Sequence, residues 1–212
     1  SLVISSAIFP IYYGLIFSEI NFIPFFGYQI KNTAVISFIT AFAFVVVAFM
    51  SPILSGIADY IGNKKRFMKI FVYIGSISCL GLYWFELQTI YLGLFFYFFA
   101  LIGLWASLVF YNSYLPDIAY PDQQDIASAR GFSYGYIGSV ILLLINLMII
   151  MNPNSFGIEG SSSEASMTAM KYSFVSVGIW WALFSQYSFY FLPKSNREVK
   201  VTKDIFWNGY KE

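Results

Sequence analysis

The stretch Asp59-Tyr60-Ile61-Gly62-Asn63-Lys64-Lys65-Arg66 separates two long apolar segments of the chain. Its glycine permits a backbone turn that a residue with a Cβ would resist, and three consecutive cations follow that turn. Lys and Arg are retained on the cytoplasmic side of membrane proteins, and the flanking apolar runs are long enough to cross a bilayer. The stretch therefore predicts a tight cytoplasmic turn between two transmembrane helices.

The composition predicts an integral membrane protein whose main partner is the lipid bilayer. Hydrophobic residues make up 58% of the 212 residues and charged residues 11%, against roughly 25% charged in soluble proteins. The net charge of +1 gives no field that would attract nucleic acid. The chain has no histidine, and its one cysteine, Cys79, lies in an apolar segment where packing is the expected role. We therefore expect no metal site, no cofactor and no internal disulfide.

Long uncharged runs predict six transmembrane helices, and hence an all-α membrane protein. A spanning helix needs about 20 mostly apolar residues. A β-barrel would need alternating apolar and polar residues, whereas Ala41 to Phe49 is apolar at both parities. The chain begins at Ser1 in apolar sequence, so we expect further residues upstream. Residues 1–193 form the predicted bundle, with spans at about 1–18, 33–58, 67–85, 88–114, 131–151 and 171–192.

The basic residues predict the orientation of this bundle. Ten of the 12 fall on one side of the predicted membrane, and only Lys31 and Lys171 fall on the other. Because cytoplasmic loops retain Lys and Arg, both ends of the chain are expected in the cytoplasm. The ten are Lys64, Lys65, Arg66, Lys69, Arg130, Lys194, Arg197, Lys200, Lys203 and Lys211.

Two further polar patches lie near the same face. The first, at residues 111–117, is Tyr-Asn-Ser-Tyr-Leu-Pro-Asp, and its proline marks a helix boundary. The second, at residues 128–138, is Ser-Ala-Arg-Gly-Phe-Ser-Tyr-Gly-Tyr-Ile-Gly. Gly131, Gly135 and Gly138, with Ser139, are small residues that favour close helix packing. That packing is either a static crossing or a surface on which one bundle rocks against another.

Together these patches resemble a known family. Asp59-x-x-Gly62-x-Lys64-Lys65 is similar to the signature of the loop between helices two and three in the major facilitator superfamily of secondary transporters. Residues 111–119 and 128–138 resemble the vacuole effluxer branch, which is named for an autophagy-related vacuolar amino-acid exporter and has many bacterial members. The resemblance is strongest from about Phe49 to Leu147.

The resemblance implies a twelve-helix protein built from two six-helix halves. This chain would be the amino-terminal half, and residues 194–212 the start of a cytoplasmic linker to the second half. The halves of such transporters rock around a solute site near the membrane midplane. The short loops favour a bacterial inner membrane over a vacuolar membrane.

The resemblance also assigns a gating role to the cytoplasmic loop, above all to Asp59 and Gly62. An acid near a helix amino terminus or an arginine gains about 0.3 to 2 kcal/mol, enough to bias an equilibrium between two states. The alternative is a solvated anchor that only fixes topology. The complete predicted gating set is Asp59, Gly62, Lys64, Lys65, Arg66, Asp117 and Arg130.

Solute contacts are expected from uncharged polar and aromatic side chains that face the bundle interior. Asn146 is the strongest of these, because it interrupts an apolar run deep in the fifth span, where an unpartnered amide is costly. It bonds another helix, a water or a solute. Many of the 17 tyrosines are alternatively expected in the interfacial belts. The candidates are Tyr12, Tyr13, Asn112, Tyr114, Asn146 and Gln186.

The resulting functional prediction is a secondary active or facilitative transporter of a small solute, with amino-acid efflux as the specific candidate. No acidic or basic residue lies at the centre of a predicted span, so this half offers no proton relay, and a uniporter is equally compatible. The sequence contains no catalytic constellation, so an enzyme is not expected. The alternative function is a six-span structural or assembly protein.

Overall fold

The computed structural model describes residues 7–25, 27–61 and 64–193, without the side chains of residues 57–61. The predicted linker at 194–212 lies outside the described residues. The described chain is mainly helical: α1 Phe9–Ile16, α2 Asn32–Ile61, α3 Lys64–Gly81, α4 Ile90–Asn112, α5 Leu115–Ile118, α6 Gln124–Met151 and α7 Ser162–Phe191. Strands β1 (Phe22–Phe25) and β2 (Tyr28–Lys31) form an antiparallel hairpin between α1 and α2.

Four helical segments of the described chain are long and apolar enough to cross a membrane. They cover residues 32–56, 64–84, 87–112 and 121–151, which correspond to α2, α3, α4 and α6. α1 is described over eight residues, and α7 is long but contains many serines. The end of the bundle that carries Lys64 is called the basic end below, and the opposite end, with the β-hairpin, is called the hairpin end.

Three helices begin well before the spans predicted from sequence. α3 begins at Lys64 rather than 67, α6 at Gln124 rather than 131, and α7 at Ser162 rather than 171. Ser161 caps α7, because its hydroxyl accepts a hydrogen bond from the amide of Glu164 at 3.4 Å and the Glu164 carboxylate accepts one from the Ser161 amide at 3.2 Å. The polar first turns of these helices are thus helical although they lie outside the apolar runs. A count of uncharged residues does not detect such turns.

The crossing of α3 and α4 is the closest helix contact of the bundle. A Cβ added to Gly103 would lie 2.6 Å from the Cα of Gly75 and 2.7 Å from the carbonyl oxygen of Phe71. A Cβ on Gly178 of α7 would lie 2.8 Å from the carbonyl oxygen of Ser76. Small residues at these points allow the backbones to approach closely, which is the main packing device between helices in lipid. α3 is therefore the central helix against which α4 and α7 pack.

Aromatic side chains hold α1 against this core at the hairpin end. The ring of Phe9 stacks on that of Tyr97 with centroids 4.0 Å apart, and the Tyr12 ring meets Phe174 edge-on at 5.2 Å. The buried Tyr12 hydroxyl donates a hydrogen bond to the carbonyl oxygen of Phe85 at 2.6 Å. The hydroxyl of Tyr13 donates to the carbonyl oxygen of Asn32 at 2.8 Å. These bonds satisfy phenol groups that would otherwise be costly to bury.

α6 is the most exposed long helix of the bundle. Only Leu142 and Asn146 are buried among its 28 residues. Both lie in the half of α6 near the hairpin end, where the Ser166 hydroxyl of α7 also donates to the carbonyl oxygen of Ile150 at 3.2 Å. The basic-end half of α6 meets α4 where Tyr111 approaches Gly131 and Phe132, and beyond that contact a space separates it from α3, α4 and α7.

We predict that Gly103→Ala destabilises the full-length protein by about 1 to 3 kcal/mol, because the new methyl group meets backbone atoms that cannot move aside. The matched control is Gly135→Ala, where an added Cβ meets nothing within 4 Å. Thermal unfolding in detergent measures both variants. Equal midpoints for the two alanine variants would contradict the proposed packing at Gly103.

Candidate functional site

Lys64 connects the start of α3 to the end of α4 at the basic end. Its ammonium group donates to the carbonyl oxygen of Ser113 at 3.0 Å and pairs with the Asp117 carboxylate at 3.1 Å. It also lies 6.0 Å from the ring centroid of Tyr114. A cation is favoured at a helix carboxyl terminus, where carbonyl groups are left without helical partners. Lys64 and Asp117, both in the predicted gating set, thus meet in space.

Lys65 makes an equivalent contact with α7. Its ammonium group donates to the carbonyl oxygen of Leu192, just after the last turn of α7, at 2.6 Å. Both ammonium groups thus bind helix ends, while the choice between a gate and a topology anchor stays a prediction. Arg66 and Arg130 are exposed, which fits a solvated position. Gly62 and the side chain of Asp59 lie outside the described residues, so their gating role stays a prediction.

The space left by α6 is a cavity in the basic-end half of the bundle, called the basic-end cavity below. Its volume is about 380 Å³, and α3, α4, α6 and α7 all contribute to its wall. The lining contains serine hydroxyls, tyrosines and tryptophans together with apolar side chains, and none of the described residues that line it is charged. Its polar and aromatic members are Ser107, Tyr111, Phe132, Tyr136, Ser139, Trp180, Trp181, Phe184, Ser185, Ser188 and Phe189.

The glycine stripe of α6 borders this cavity. Gly131 and Gly135 line it, and an added Cβ on Gly135 would meet nothing within 4 Å. Gly138 is only loosely opposed by Trp180, whose ring lies 4.0 Å from the position of a Cβ. Gly131 alone makes a close approach, to the hydroxyl of Tyr111. Among the described residues, nothing packs tightly on Gly135 or Gly138, so the packing role of these two glycines stays a prediction.

The tyrosines predicted to face a solute have structural roles here. Tyr12 and Tyr13 are buried in the packing of α1 and use their hydroxyl groups on backbone carbonyls. Tyr114 is buried at the basic end beside Lys64. None of the three lines the basic-end cavity. Residue type and position in the sequence do not show whether a tyrosine hydroxyl bonds a backbone carbonyl oxygen or faces a cavity.

Asn112 and Gln186 also lie away from the basic-end cavity. Asn112 is exposed as the last residue of α4. Gln186 is exposed on α7, where its amide and the Tyr73 hydroxyl are 3.2 to 3.3 Å apart, so this pair links α7 to α3. These two residues and the tyrosines are not brought together in one site.

Asn146 is buried between α6 and α7, near the middle of α7. Its Oδ1 lies 2.9 Å from the hydroxyl oxygen of Ser176, and its Nδ2 finds no acceptor in the described structure. The Ser176 hydroxyl has one hydrogen and also lies 2.8 Å from the carbonyl oxygen of Ser173. If the side-chain amide is flipped, Nδ2 takes the place of Oδ1 and donates to the Ser176 hydroxyl. That hydroxyl can then donate its one hydrogen to the carbonyl oxygen of Ser173. The amide thus makes an interhelical contact, one of its three predicted alternatives.

A second cavity, of about 360 Å³, lies at the hairpin end between α1, α7 and the connection from α3 to α4. The ammonium group of Lys171 and the carboxylate of Glu86 pair there at 2.5 Å. Hydrogen bonds from Ser161 lower the pKa of Glu164, which lies outside the predicted span 171–192 on the rim of the cavity. Charges thus link the helices at both ends of the bundle.

Comparison with known families matches the chain to the vacuole effluxer Atg22-like family over residues 17–127 and 122–212. The chain belongs to this family. It is also similar to the uncharacterized MFS-type transporter YxiO of Bacillus subtilis (strain 168), with 34% identity over 185 residues. The aligned region covers 87% of the chain and 41% of that relative. No solved structure matches.

The family membership confirms the resemblance that the basic-end motifs predicted. The chain is an all-α membrane protein that forms one half of a major facilitator fold. The predicted spans and the roles of the site residues stay predictions. The residues that sequence analysis missed are the close glycines Gly75, Gly103 and Gly178 and the serine and tryptophan lining of the cavity. The sequence signal for this close packing was the pair of small residues Gly103 and Ser107, which lie four positions apart on α4.

We predict that Ser176→Ala lowers the free energy of unfolding by about 0.5 to 2 kcal/mol, because Asn146 loses its partner inside the bundle. Combining it with Asn146→Leu recovers part of that loss, since no unpaired amide remains. Unfolding of the full-length protein in detergent gives the coupling energy. Ser185→Ala is the control, because Ser185 bonds the carbonyl oxygen of Ala182 on its own helix. Additive effects of Ser176→Ala and Asn146→Leu would refute the contact.

Proposed function

We propose that this chain is the amino-terminal half of a transporter that moves a small solute across a membrane by alternating access. The observation that carries the proposal is the basic-end cavity of about 380 Å³, which opens within a chain of the vacuole effluxer Atg22-like family. Alternating access requires a solute-accessible space that opens to one side at a time. The name of YxiO, an MFS-type transporter, supports the same activity.

The lining of the cavity favours a neutral or zwitterionic solute. The hydroxyl groups of Ser107 and Ser185 donate to the carbonyl oxygens of Leu104 and Ala182 and can accept a hydrogen bond from a solute, and Ser139 adds a third hydroxyl. The rings of Trp180 and Trp181 provide flat apolar surfaces. A solute with a net charge would need an opposite charge, which these walls do not carry. A neutral amino acid is the solute class we propose, with efflux as its direction.

The basic end is proposed to be cytoplasmic, as the distribution of lysine and arginine favours. In this orientation Lys64 and Lys65 hold α3, α4 and α7 together as one unit. Asp59 and Gly62 gate the cytoplasmic side, with Arg66 and Arg130 as the exposed cations of the gate. A unit that moves as a rigid body must retain its internal contacts while its contacts with the second half change.

The complete protein is proposed to contain six spans in residues 1–193, a linker at 194–212 and a second six-helix half. The share of YxiO that the chain covers, 41%, fits half of a two-bundle protein. A bacterial inner membrane is the proposed location, with both ends of this half in the cytoplasm. Transport, rather than catalysis or a purely structural role, is the activity proposed for the whole.

We predict that the full-length protein in liposomes catalyses counterflow of a neutral amino acid. Ser139→Phe lowers this counterflow by about an order of magnitude, because the aromatic ring occupies space that a solute needs in a closely packed site. Ile137→Phe is the matched control: Ile137 is two residues away on α6 and 57% exposed. No flux with any of a broad panel of solutes would refute the transporter, and equal flux in the two variants would refute the role of the cavity.

We also predict that Asp59→Asn weakens counterflow, since the amide loses the charge with which the gate closes on a basic partner. Asp122→Asn is the control, because Asp122 is an exposed acid in the turn between α5 and α6. Initial rates in the same liposomes compare the two variants at equal protein content. A wild-type rate for Asp59→Asn would remove Asp59 from the gate.

A further inference from the structure

Two tryptophans of α7 line the basic-end cavity, and each carries a hydrogen-bond donor that has no acceptor. An indole N–H can donate a hydrogen bond but cannot accept one. Within the described part of the chain, neither Trp180 nor Trp181 makes a hydrogen bond through this group. The fully buried side-chain nitrogen and oxygen atoms that lack a partner there are Ser76 Oγ and Asn146 Nδ2. The two indole nitrogens are therefore accessible as well as unpaired.

The ring of Trp180 is directed toward α6. Its Cζ2 atom lies 4.0 Å from the position that a Cβ would take on Gly138. Nε1 is bonded to the carbon next to Cζ2, so the donor lies on the same edge of the indole ring. The ring of Phe184, one turn further along α7, packs against that of Trp180 with centroids 4.3 Å apart. The Trp180 donor is therefore held beside the α6 wall of the cavity before a solute arrives.

Trp181 is held on the other side, against α3. The outer edge of its six-membered ring, at Cη2 and Cζ3, occupies the space that a side chain on Gly75 would need. The contact with α3 uses this edge and leaves out the five-membered ring that carries the nitrogen. α7 thus presents one indole ring to α6 and one to α3, and both rings line the cavity.

The serine hydroxyls of the lining fall into two groups. Those of Ser107 and Ser185 donate their only hydrogen to backbone carbonyl oxygens of their own helices, so they can only accept a hydrogen bond from a solute. Ser139 follows Gly138 on α6 and makes no hydrogen bond with any described residue. Its hydroxyl can therefore donate, and it lies on the wall that Trp180 faces.

A carboxylate is the group that these two donors fit. Its two oxygens only accept hydrogen bonds, and bonds to a charged acceptor are roughly twice as strong as those between neutral groups. No charged side chain is found among the described residues of the lining, so N–H and O–H donors are the groups that can replace the water around a carboxylate. An ammonium group needs acceptors instead. The hydroxyl oxygens of Ser107 and Ser185 and the faces of the aromatic rings supply them.

We propose that Trp180 and Ser139 bind the carboxylate of the transported solute through the indole N–H and the hydroxyl group. The two residues then determine specificity, because an amine of the same shape without a carboxylate leaves both donors without an acceptor inside the cavity. This inference rests on the proposed function, since it states how the basic-end cavity recognises its solute. Both donors belong to this half of the protein, so this recognition needs no residue of the second half.

The first test compares valine with isobutylamine, which is valine without its carboxylate. The full-length protein is labelled with ¹⁵N at its tryptophan indoles in lipid nanodiscs, and the Trp180 resonance is identified by its loss in Trp180→Phe. We expect valine to shift this resonance saturably and isobutylamine to leave it unchanged. Ser139→Ala removes one donor without adding volume and weakens valine binding about tenfold, as expected for one hydrogen bond to a charged group.

The second test measures valine counterflow in liposomes. Trp180→Phe keeps an aromatic ring but loses the N–H group. We expect the valine concentration at half-maximal counterflow to rise about tenfold while the maximal rate is retained, because the lost bond contributes to binding. Trp84→Phe is the matched control, since Trp84 is 59% exposed at the hairpin end, and it leaves both values unchanged.

The outcomes separate this inference from the proposed function. A Trp180 resonance that valine leaves unchanged, or that isobutylamine shifts equally, would overturn the carboxylate site even if valine is transported. Equal counterflow in Trp180→Phe and Trp84→Phe would overturn it as well. A shift specific to valine, without counterflow of any solute, would instead support the carboxylate site and contradict the proposed transport.

Discussion

The backbone contact between Gly75 and Gly103 is the constraint on which the rest of the bundle depends. Because neither residue has a side chain, α3 and α4 approach until a Cβ on Gly103 would lie 2.6 Å from the Cα of Gly75. In lipid the apolar side chains gain little from leaving the solvent, so such contact replaces the hydrophobic effect as the force that joins helices. With α3 fixed on α4, Gly178 brings α7 against α3 at the neighbouring residue Ser76, and the aromatic rings of α1 fill the space at the hairpin end.

The charged side chains that link the helices lie at the ends of this core rather than within it. Lys64 and Lys65 bind the carboxyl ends of α4 and α7, and Lys171 pairs with Glu86 at the other end. Placing the charges near water avoids the cost of burying them in hydrocarbon. The interior is left to hydroxyls, an amide and aromatic rings.

α6 differs from the other long helices because its two halves have different surroundings. Near the hairpin end it contacts α7 through Asn146 and Ile150, whereas its basic-end half borders the cavity with Gly131 and Gly135. Small residues on that half present little bulk to the facing tryptophans of α7. The same glycines that would permit a tight crossing therefore border an open volume, and the choice between the two arrangements depends on the position of the whole helix.

The sequence by itself determined the membrane class, the helical architecture and the family, because composition and the motifs at residues 59–66, 111–119 and 128–138 are local properties. It also placed Lys64 and Asp117 in one functional set, and they meet in space. The tertiary structure decided which glycines make contact, which tyrosines bond backbone, and that serines and tryptophans line the cavity. Each of these depends on the rotation and separation of helices that are far apart in the chain. A pattern along one helix identifies a face of small or polar residues but does not identify the helix opposite that face, and the position of that second helix determines whether the face packs, binds or remains open.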